Sequence, residues 1–355
     1  MIHDIRLQSF RSYQDDTFEF DKGVNIIVGP NASGKTNLLE AILYSCIGVS
    51  YRVSASGLIR FGDDWARLET HTDIGARIVK IDARGHTLTP QKTYDIDGQQ
   101  FVRLPASKTT PVVLFEPDHL RLLHGSPEAR RTYLDDLLEQ TTPGYGRVRR
   151  GYKRALAQRN ALLKYHQHQH NSQLFAWNVR LSQLGGQIAE ARHQLVRAID
   201  EATTPLYKEL SASNTSVQLH YHSTTPLHNY ESHLLKQLEA GVDQDVQRGF
   251  TLHGPHRDDM LVTFDEHEAQ TSASRGEVRT VLLSMKVVEL QLLERLRNQA
   301  PLLLLDDVFS ELDGARRQAL TRYLSKYQTF ITTTDADVVV QHFMDKCRII
   351  PTSHD

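Results

Sequence analysis

One octapeptide constrains the chain more than any other feature of its 355 residues. Gly29-Pro30-Asn31-Ala32-Ser33-Gly34-Lys35-Thr36 is a full G-x-x-x-x-G-K-[ST] pattern. It follows the compact apolar run Val24-Asn25-Ile26-Ile27-Val28 and precedes a buried-helix signal at Leu38, Leu39, Ala41, Ile42 and Leu43. Strand, loop and helix thus stand in the order a phosphate loop needs. The glycines let backbone N–H groups wrap phosphates, and the helix N-terminus adds its dipole. Lys35 can reach the β- and γ-phosphates of ATP, and the Thr36 hydroxyl can ligate Mg²⁺. Asn37 opens the helix and completes the candidate loop.

A second element answers the first from far along the chain. Leu302-Leu303-Leu304-Leu305-Asp306-Asp307 reads as a buried strand ending in two carboxylates, the pattern of a Walker B motif. Asp306 is the candidate Mg²⁺ ligand, acting through water. Asp307 stands where a water-orienting glutamate is usual; being one methylene shorter, it predicts slow hydrolysis. Nearly the whole middle of the chain separates Lys35 from Asp306, which points to an ABC or SMC-like head split by an insertion rather than a compact P-loop kinase.

Ser274-Arg275-Gly276-Glu277, just before the amphipathic series Val278, Leu282, Met285, Val288, Leu292 and Leu296, fits an ABC signature motif. Alone, S-x-G-E is an ordinary helix cap; between the two Walker motifs it reads as the group that binds the γ-phosphate held by an opposite subunit. Ser310-Glu311-Leu312-Asp313 has D-loop spacing. Thr334 and Asp335 occupy the place of a switch histidine, so either one substitutes or the switch is absent.

The organisation follows from patterning. Residues 66 to 115 alternate in short segments broken by Gly75, Gly85 and Gly98, which predicts an antiparallel sheet. Leu174, Trp177, Leu181, Leu184, Ile188, Ala191, Leu195, Ala198 and Ala202 form a heptad seam over about four heptads, which needs a partner helix. The preceding basic helix, folded back across His166 to Asn171, is the nearest candidate. The expected fold is α/β, an ABC-type (SMC-like) P-loop ATPase head with an antiparallel β subdomain and an inserted helical lobe. The expected boundaries are an N-terminal half at 1–120, the lobe at 121–244 and a C-terminal half at 245–355.

Net charge is −2, so a uniformly basic nucleic-acid coat is excluded and any DNA contact must be local. Between Glu139 and Glu190 there is no acidic residue, while Arg147, Arg149, Arg150, Lys153, Arg154, Arg159, Lys164 and Arg180 fall there. Helical spacing gathers Arg147, Arg150 and Arg154 on one face, and Arg147, Arg149, Arg150, Lys153 and Arg154 are the candidate DNA contacts, reading backbone rather than bases. A solvated helical face is the bland alternative. His166 and His170 lie one helical turn apart, but no carboxylate or cysteine completes a metal set, and a polar tip explains them better. Cys46 and Cys347 form no framework and suit a reducing cytosol. With no leader pattern and no apolar run of membrane length, a cytoplasmic, nucleoid-associated protein without a membrane partner is expected.

Phe10-Arg11-Ser12-Tyr13, the run from Leu114-Phe115-Glu116-Pro117-Asp118 to Pro127-Glu128-Ala129-Arg130-Arg131-Thr132-Tyr133-Leu134-Asp135, and Gly254-Pro255-His256-Arg257-Asp258-Asp259 are not features of generic ABC transporters. With the nucleotide motifs they resemble the RecF family of bacterial recombination-mediator ATPases, over essentially the whole chain. The resemblance implies a monomer that dimerises with ATP and binds double-stranded DNA and gapped junctions. It further implies slow, DNA-stimulated hydrolysis and work with a RecR-type mediator in loading recombinase. It also implies that Arg11 and Ser12 lie beside the nucleotide phosphates and Asp118 near the Q-loop position. A P-loop kinase has no use for the S-R-G-E segment, and an SMC-type structural tether needs arms far longer than this seam.

Overall fold

The computed structural model describes residues 1–352 except 86–88, 118, 120, 121, 166–170, 212 and 344–346, with backbone alone at 165, 171, 172, 310, 311, 336–338 and 342. The chain divides into two compact units, Met1–His119 with Glu289–Asp355, and Leu120–Val288. In chain order the first unit opens with β1 (Ile2–Phe10), β2 (Tyr13–Glu19), β3 (Val24–Val28), α1 (Lys35–Ile47), β4 (Trp65–Thr72), β5 (Gly75–Asp82), β6 (Gln91–Ile96), β7 (Gln99–Phe101) and β8 (Val112–Phe115). The second unit follows with α2 (Pro127–Thr141), α3 (Tyr145–Tyr165), α4 (Asn171–Ser211), β9 (Val217–His222), α5 (Tyr230–Ala240), α6 (Val242–Arg248), β10 (Asp259–Phe264), β11 (His267–Glu268) and α7 (Ala269–Ser272). The division falls inside α8 (Arg275–Arg297), after which come β12 (Leu302–Asp306), α9 (Val308–Glu311), α10 (Gly314–Leu324), β13 (Thr329–Thr333), α11 (Ala336–Phe343) and β14 (Cys347–Pro351).

The first unit holds two sheets. One is antiparallel, ordered β2-β1-β4-β5-β6-β7, and contains the alternating segments as far as Phe101; Val112–Phe115, expected in the same sheet, instead pairs in parallel with β12. The other is parallel, ordered β14-β3-β13-β12-β8. Strands buried on both faces lose the polar alternation, which is why Leu302-Leu303-Leu304-Leu305 is unbroken and every residue of β12 is buried. Helix α1 is apolar nearly all round, and Leu38 to Cys46 are all buried; such a helix belongs inside a core rather than on a surface. A single cluster of buried side chains joins α1 to strands of both sheets, from Ile5, Leu7 and Phe10 through Leu38 and Ile42 to Leu304 and Phe330. The ABC-type, SMC-like head predicted from the motifs is thus the fold observed.

The second unit packs α3 against α4, and α4 also meets α5 and β9. Along the heptad seam Leu174, Leu181, Leu184, Ile188 and Leu195 are buried, whereas Trp177, Ala191, Ala198 and Ala202 are half-buried. Its three-stranded sheet runs β11-β10-β9. The expected boundary at 244/245 stands against a division at Val288/Glu289. Three ties hold residues 245–264 in the inserted unit: the fully buried pair Arg159–Asp245 at 2.6 Å, the β9–β10 ladder, and the Arg130–Asp259 pair at 2.7 Å. The first boundary, at 119/120, lies one residue from the expected one. No helix among the described residues is long and apolar enough to cross a membrane. Cys46 is buried and Cys347 half-buried, and no disulfide joins them.

Candidate nucleotide site

The phosphate loop connects β3 to α1 within the first unit. Pro30, Asn31 and Ala32 form its exposed crest, and Ser33, Gly34 and Lys35 are buried. Gly34 is the N-cap of α1 with φ 94°, and its cap carries no side-chain hydrogen bond, so first-turn N–H groups of the helix keep the orientation that receives an anion. A Cβ on Gly34 would stand 2.7 Å from the Tyr13 hydroxyl and 3.0 Å from Ser12 Oγ, which requires glycine on sterics as well as on φ. Gly29 is equally confined: its Cβ would lie 2.4 Å from Ser33 Oγ and from the Thr352 carbonyl.

Lys35 Nζ donates to the Gly29 and Pro30 carbonyls, both at 2.8 Å, which lays its charge along the loop. The Thr36 hydroxyl donates to Asp306 Oδ1 at 3.0 Å, bringing together residues 270 positions apart at the C-terminal edge of the parallel sheet. Asp306 is only 8% exposed. It also accepts from Thr332 Oγ1 at 2.8 Å and, on Oδ2, from the Tyr51 hydroxyl at 3.1 Å. Burial, then the charges of Asp306 and Glu116, push the Tyr51 phenol well above its ordinary pKa. A hard oxygen set of one hydroxyl and one carboxylate beside a phosphate cradle has the chemistry of an Mg²⁺–triphosphate site. Asp307 follows in the left-handed region at φ 55°, its N–H donating to Thr332 Oγ1 at 2.8 Å.

Of the residues assigned to the phosphates by resemblance, Ser12 accepts from Asn37 Nδ2 at 2.9 Å and lies against the loop. Arg11 turns elsewhere. Its Nη1 donates to the Gly57 carbonyl at 3.0 Å, and its Nε lies 3.0 Å from Glu40 without hydrogen-bond alignment, an electrostatic contact with a fully buried carboxylate. Asp118, like His166 and His170, lies outside the described residues. Thr334 and Asp335 are exposed just beyond β13, where the Asp335 N–H donates to Thr333 Oγ1 at 3.1 Å.

Ser274 caps α8 in a reciprocal box: its N–H and hydroxyl donate to Glu277 Oε2 at 2.8 and 2.7 Å, and the Glu277 N–H returns to Ser274 Oγ at 3.3 Å. The hydroxyl bond and its backbone companion hold the Glu277 carboxyl below its usual range. Ser274 and Arg275 are exposed, Gly276 and Glu277 half-buried. On α3, Arg147, Arg150, Lys153 and Arg154 are exposed. Arg149 does not join them: it is 15% exposed and lies within 3.0 Å of Asp135, 2.8 Å of Asp136 and 2.9 Å of Glu139. The carboxylates that claim it belong to α2, outside the acid-free stretch that suggested it.

The nucleotide motifs gave no sign of Tyr51, Thr332 or Thr352, and Tyr13 entered only as part of Phe10-Arg11-Ser12-Tyr13, without a role. Tyr13 donates to the Gly34 carbonyl at 3.0 Å, and Thr352 Oγ1 shares a hydrogen bond with Ser33 Oγ at 2.8 Å.

Comparison with known proteins extends over the same residues. Residues 1–353 match the RecF/RecN/SMC N terminal domain. The DNA replication and repair protein RecF of Desulfitobacterium hafniense is 33% identical over 351 residues, covering 95% of this chain and 94% of that one. The solved structure of the recombination mediator protein RecF-ATPrS in the RecFOR pathway superposes with a TM-score of 0.84 at 26% identity, covering 94% of this chain and 92% of that one. The Smc head domain from Pyrococcus furiosus shares the fold at a TM-score of 0.51 and 16% identity, over 96% and 91% of the two chains. A whole-length relationship of this kind, joined to a P-loop and Asp306 assembled as the motifs require, places the chain in the RecF family of DNA replication and repair proteins.

Proposed function

We propose that the chain is an ATP-binding protein of recombinational DNA repair and replication restart, in which ATP with Mg²⁺ brings two copies together on double-stranded DNA. The observation that carries the reading is the Thr36–Asp306 contact at 3.0 Å, which brings a hydroxyl and a carboxylate from two ends of the sequence together beside the phosphate loop and so supports an ATP–Mg²⁺ site. ATP supplies the triphosphate, and Mg²⁺ the charge that offsets it. Lys35 and the first-turn N–H groups of α1 bind the phosphates, Thr36 and Asp306 hold the cation, and Asp307 orients the attacking water. The shorter Asp307 places that water less closely than a glutamate, so turnover is slow and serves to reset the dimer.

The second copy contributes Ser274 and Gly276 at the N-terminus of its α8. To donate to a phosphate, the Ser274 hydroxyl rotates off Glu277, and Glu277 then keeps the Ser274 N–H. Arg147, Arg150, Lys153 and Arg154 contact the duplex backbone through phosphate charge. DNA stimulates the slow ATPase, and with a RecR-type mediator the dimer assists recombinase loading at gapped junctions.

Sedimentation velocity tests the dimer. A dimer with ATP, a monomer with ADP, and monomers in both states for Lys35→Met and Ser274→Arg are expected. A monomer in every condition would contradict the reading, and turnover only with a small acceptor would point to a kinase.

A further inference from the structure

Glu40 has no part in the nucleotide motifs, yet its carboxylate is fully buried inside α1, a costly place for a charge. It is compensated by Arg11 at 3.0 Å and by the Ser50 hydroxyl, which donates to Oε1 at 2.5 Å. Ser50 Oγ in turn accepts from the Arg52 and Val53 N–H groups, each at 3.1 Å, and so fixes the turn that carries Tyr51. The Tyr51 hydroxyl ends this series on Asp306 Oδ2 at 3.1 Å. The torsion that orients an aspartate carboxylate is broad and has no strong intrinsic preference. Thr36 and Thr332 both bind Oδ1, so Tyr51 is the described group that restrains the second oxygen.

We propose that Tyr51 is a positioning residue for Asp306, holding Oδ1 toward Thr36 through a turn that Ser50 and Glu40 anchor to the same helix that bears Lys35 and Thr36. The inference rests on the reading of this site as an ATP–Mg²⁺ site. Loss of the phenol hydroxyl leaves the phosphate cradle whole and frees only the carboxylate. Metal dependence should then suffer while metal-free nucleotide affinity does not. Outer partners of metal ligands typically carry about tenfold in metal affinity.

The test is a fluorescent ATP analogue titrated with Mg²⁺, using the full-length chain, Tyr51→Phe and Ser50→Ala, together with nucleotide affinity in EDTA and thermal melting. Tyr51→Phe is expected to raise the Mg²⁺ concentration at half-saturation by roughly tenfold, with EDTA affinity and melting temperature unchanged. Ser50→Ala should shift it in the same direction. A Tyr51→Phe titration that overlays wild type while wild type binds with Mg²⁺ dependence overturns the role of Tyr51 and leaves the nucleotide site standing. Equal loss in EDTA and with Mg²⁺, or a lowered melting temperature, also overturns it, by showing a general structural role. A wild-type protein that binds no nucleotide overturns the site itself, and this inference with it.

Discussion

His256 is packed in the inserted unit with its ring in a fixed tautomer. Nε2 faces the Thr251 carbonyl at 3.0 Å and must donate, so Nδ1 accepts from the Tyr152 hydroxyl at 2.7 Å. Burial, reinforced by the nearby Arg257, Arg131 and Arg159 charges, pushes its pKa down to about 4 from 6.5. The folded pKa lies below the unfolded one, so protons bind the unfolded chain first. Stability is then full above about pH 6.5 and is lost as pH falls toward 4. This one group should cost on the order of 2 kcal/mol by pH 4.5. Urea midpoints for wild type and His256→Gln across pH 7.5 to 4.5 check it: the gap between them should narrow on acidification, and a constant gap would refute the assignment. At this scale the phosphate loop was legible because its chemistry constrains local backbone, and Gly34, Lys35 and Thr36 are neighbours in sequence. Tyr51 and Thr332 were not, since an ordinary hydroxyl reaching Asp306 across the fold leaves no local pattern.

Helix α3 shows how a charge run divides once it is folded. Its 3.6-residue period was legible and gathered Arg147, Arg150 and Arg154 on one face, which is exposed, while Tyr152 and Ala155 are buried. Arg149 and Arg159 were not separable by period, because their partners lie elsewhere, on α2 and at Asp245. Arg159 is fully buried, donating to Asn178 at 2.7 Å, Asp245 at 2.6 Å, Thr251 at 2.8 Å and the Leu238 carbonyl at 3.2 Å. Arg159→Ala leaves Asp245 buried and unpaired, which should lower unfolding free energy by about 3–5 kcal/mol, whereas Arg150→Ala should change it by less than about 0.5 kcal/mol. Denaturant unfolding separates the two, and equal effects would mean that Arg159 is not the structural member of the series.

Over the whole molecule, the two Walker elements and their distance along the chain announced a head interrupted by an insertion, and the antiparallel sheet agrees with the alternation through Phe101, whereas β8 lies in the parallel sheet. The return from the insertion was less legible. Asp245 and Asp259 look like any polar helix and strand-end residues, and their buried partners Arg159 and Arg130, with the β9–β10 ladder, place them in the second unit. The candidate nucleotide site belongs to one unit and the exposed cations of α3 to the other, so the proposed function requires nucleotide at the first to govern DNA at the second. Fluorescence anisotropy of labelled duplex DNA, titrated with the protein in ATP, in ADP and without nucleotide, tests that coupling. Tight binding in ATP alone, abolished by Lys35→Met, is the predicted result; equal affinity in all three conditions would contradict the account.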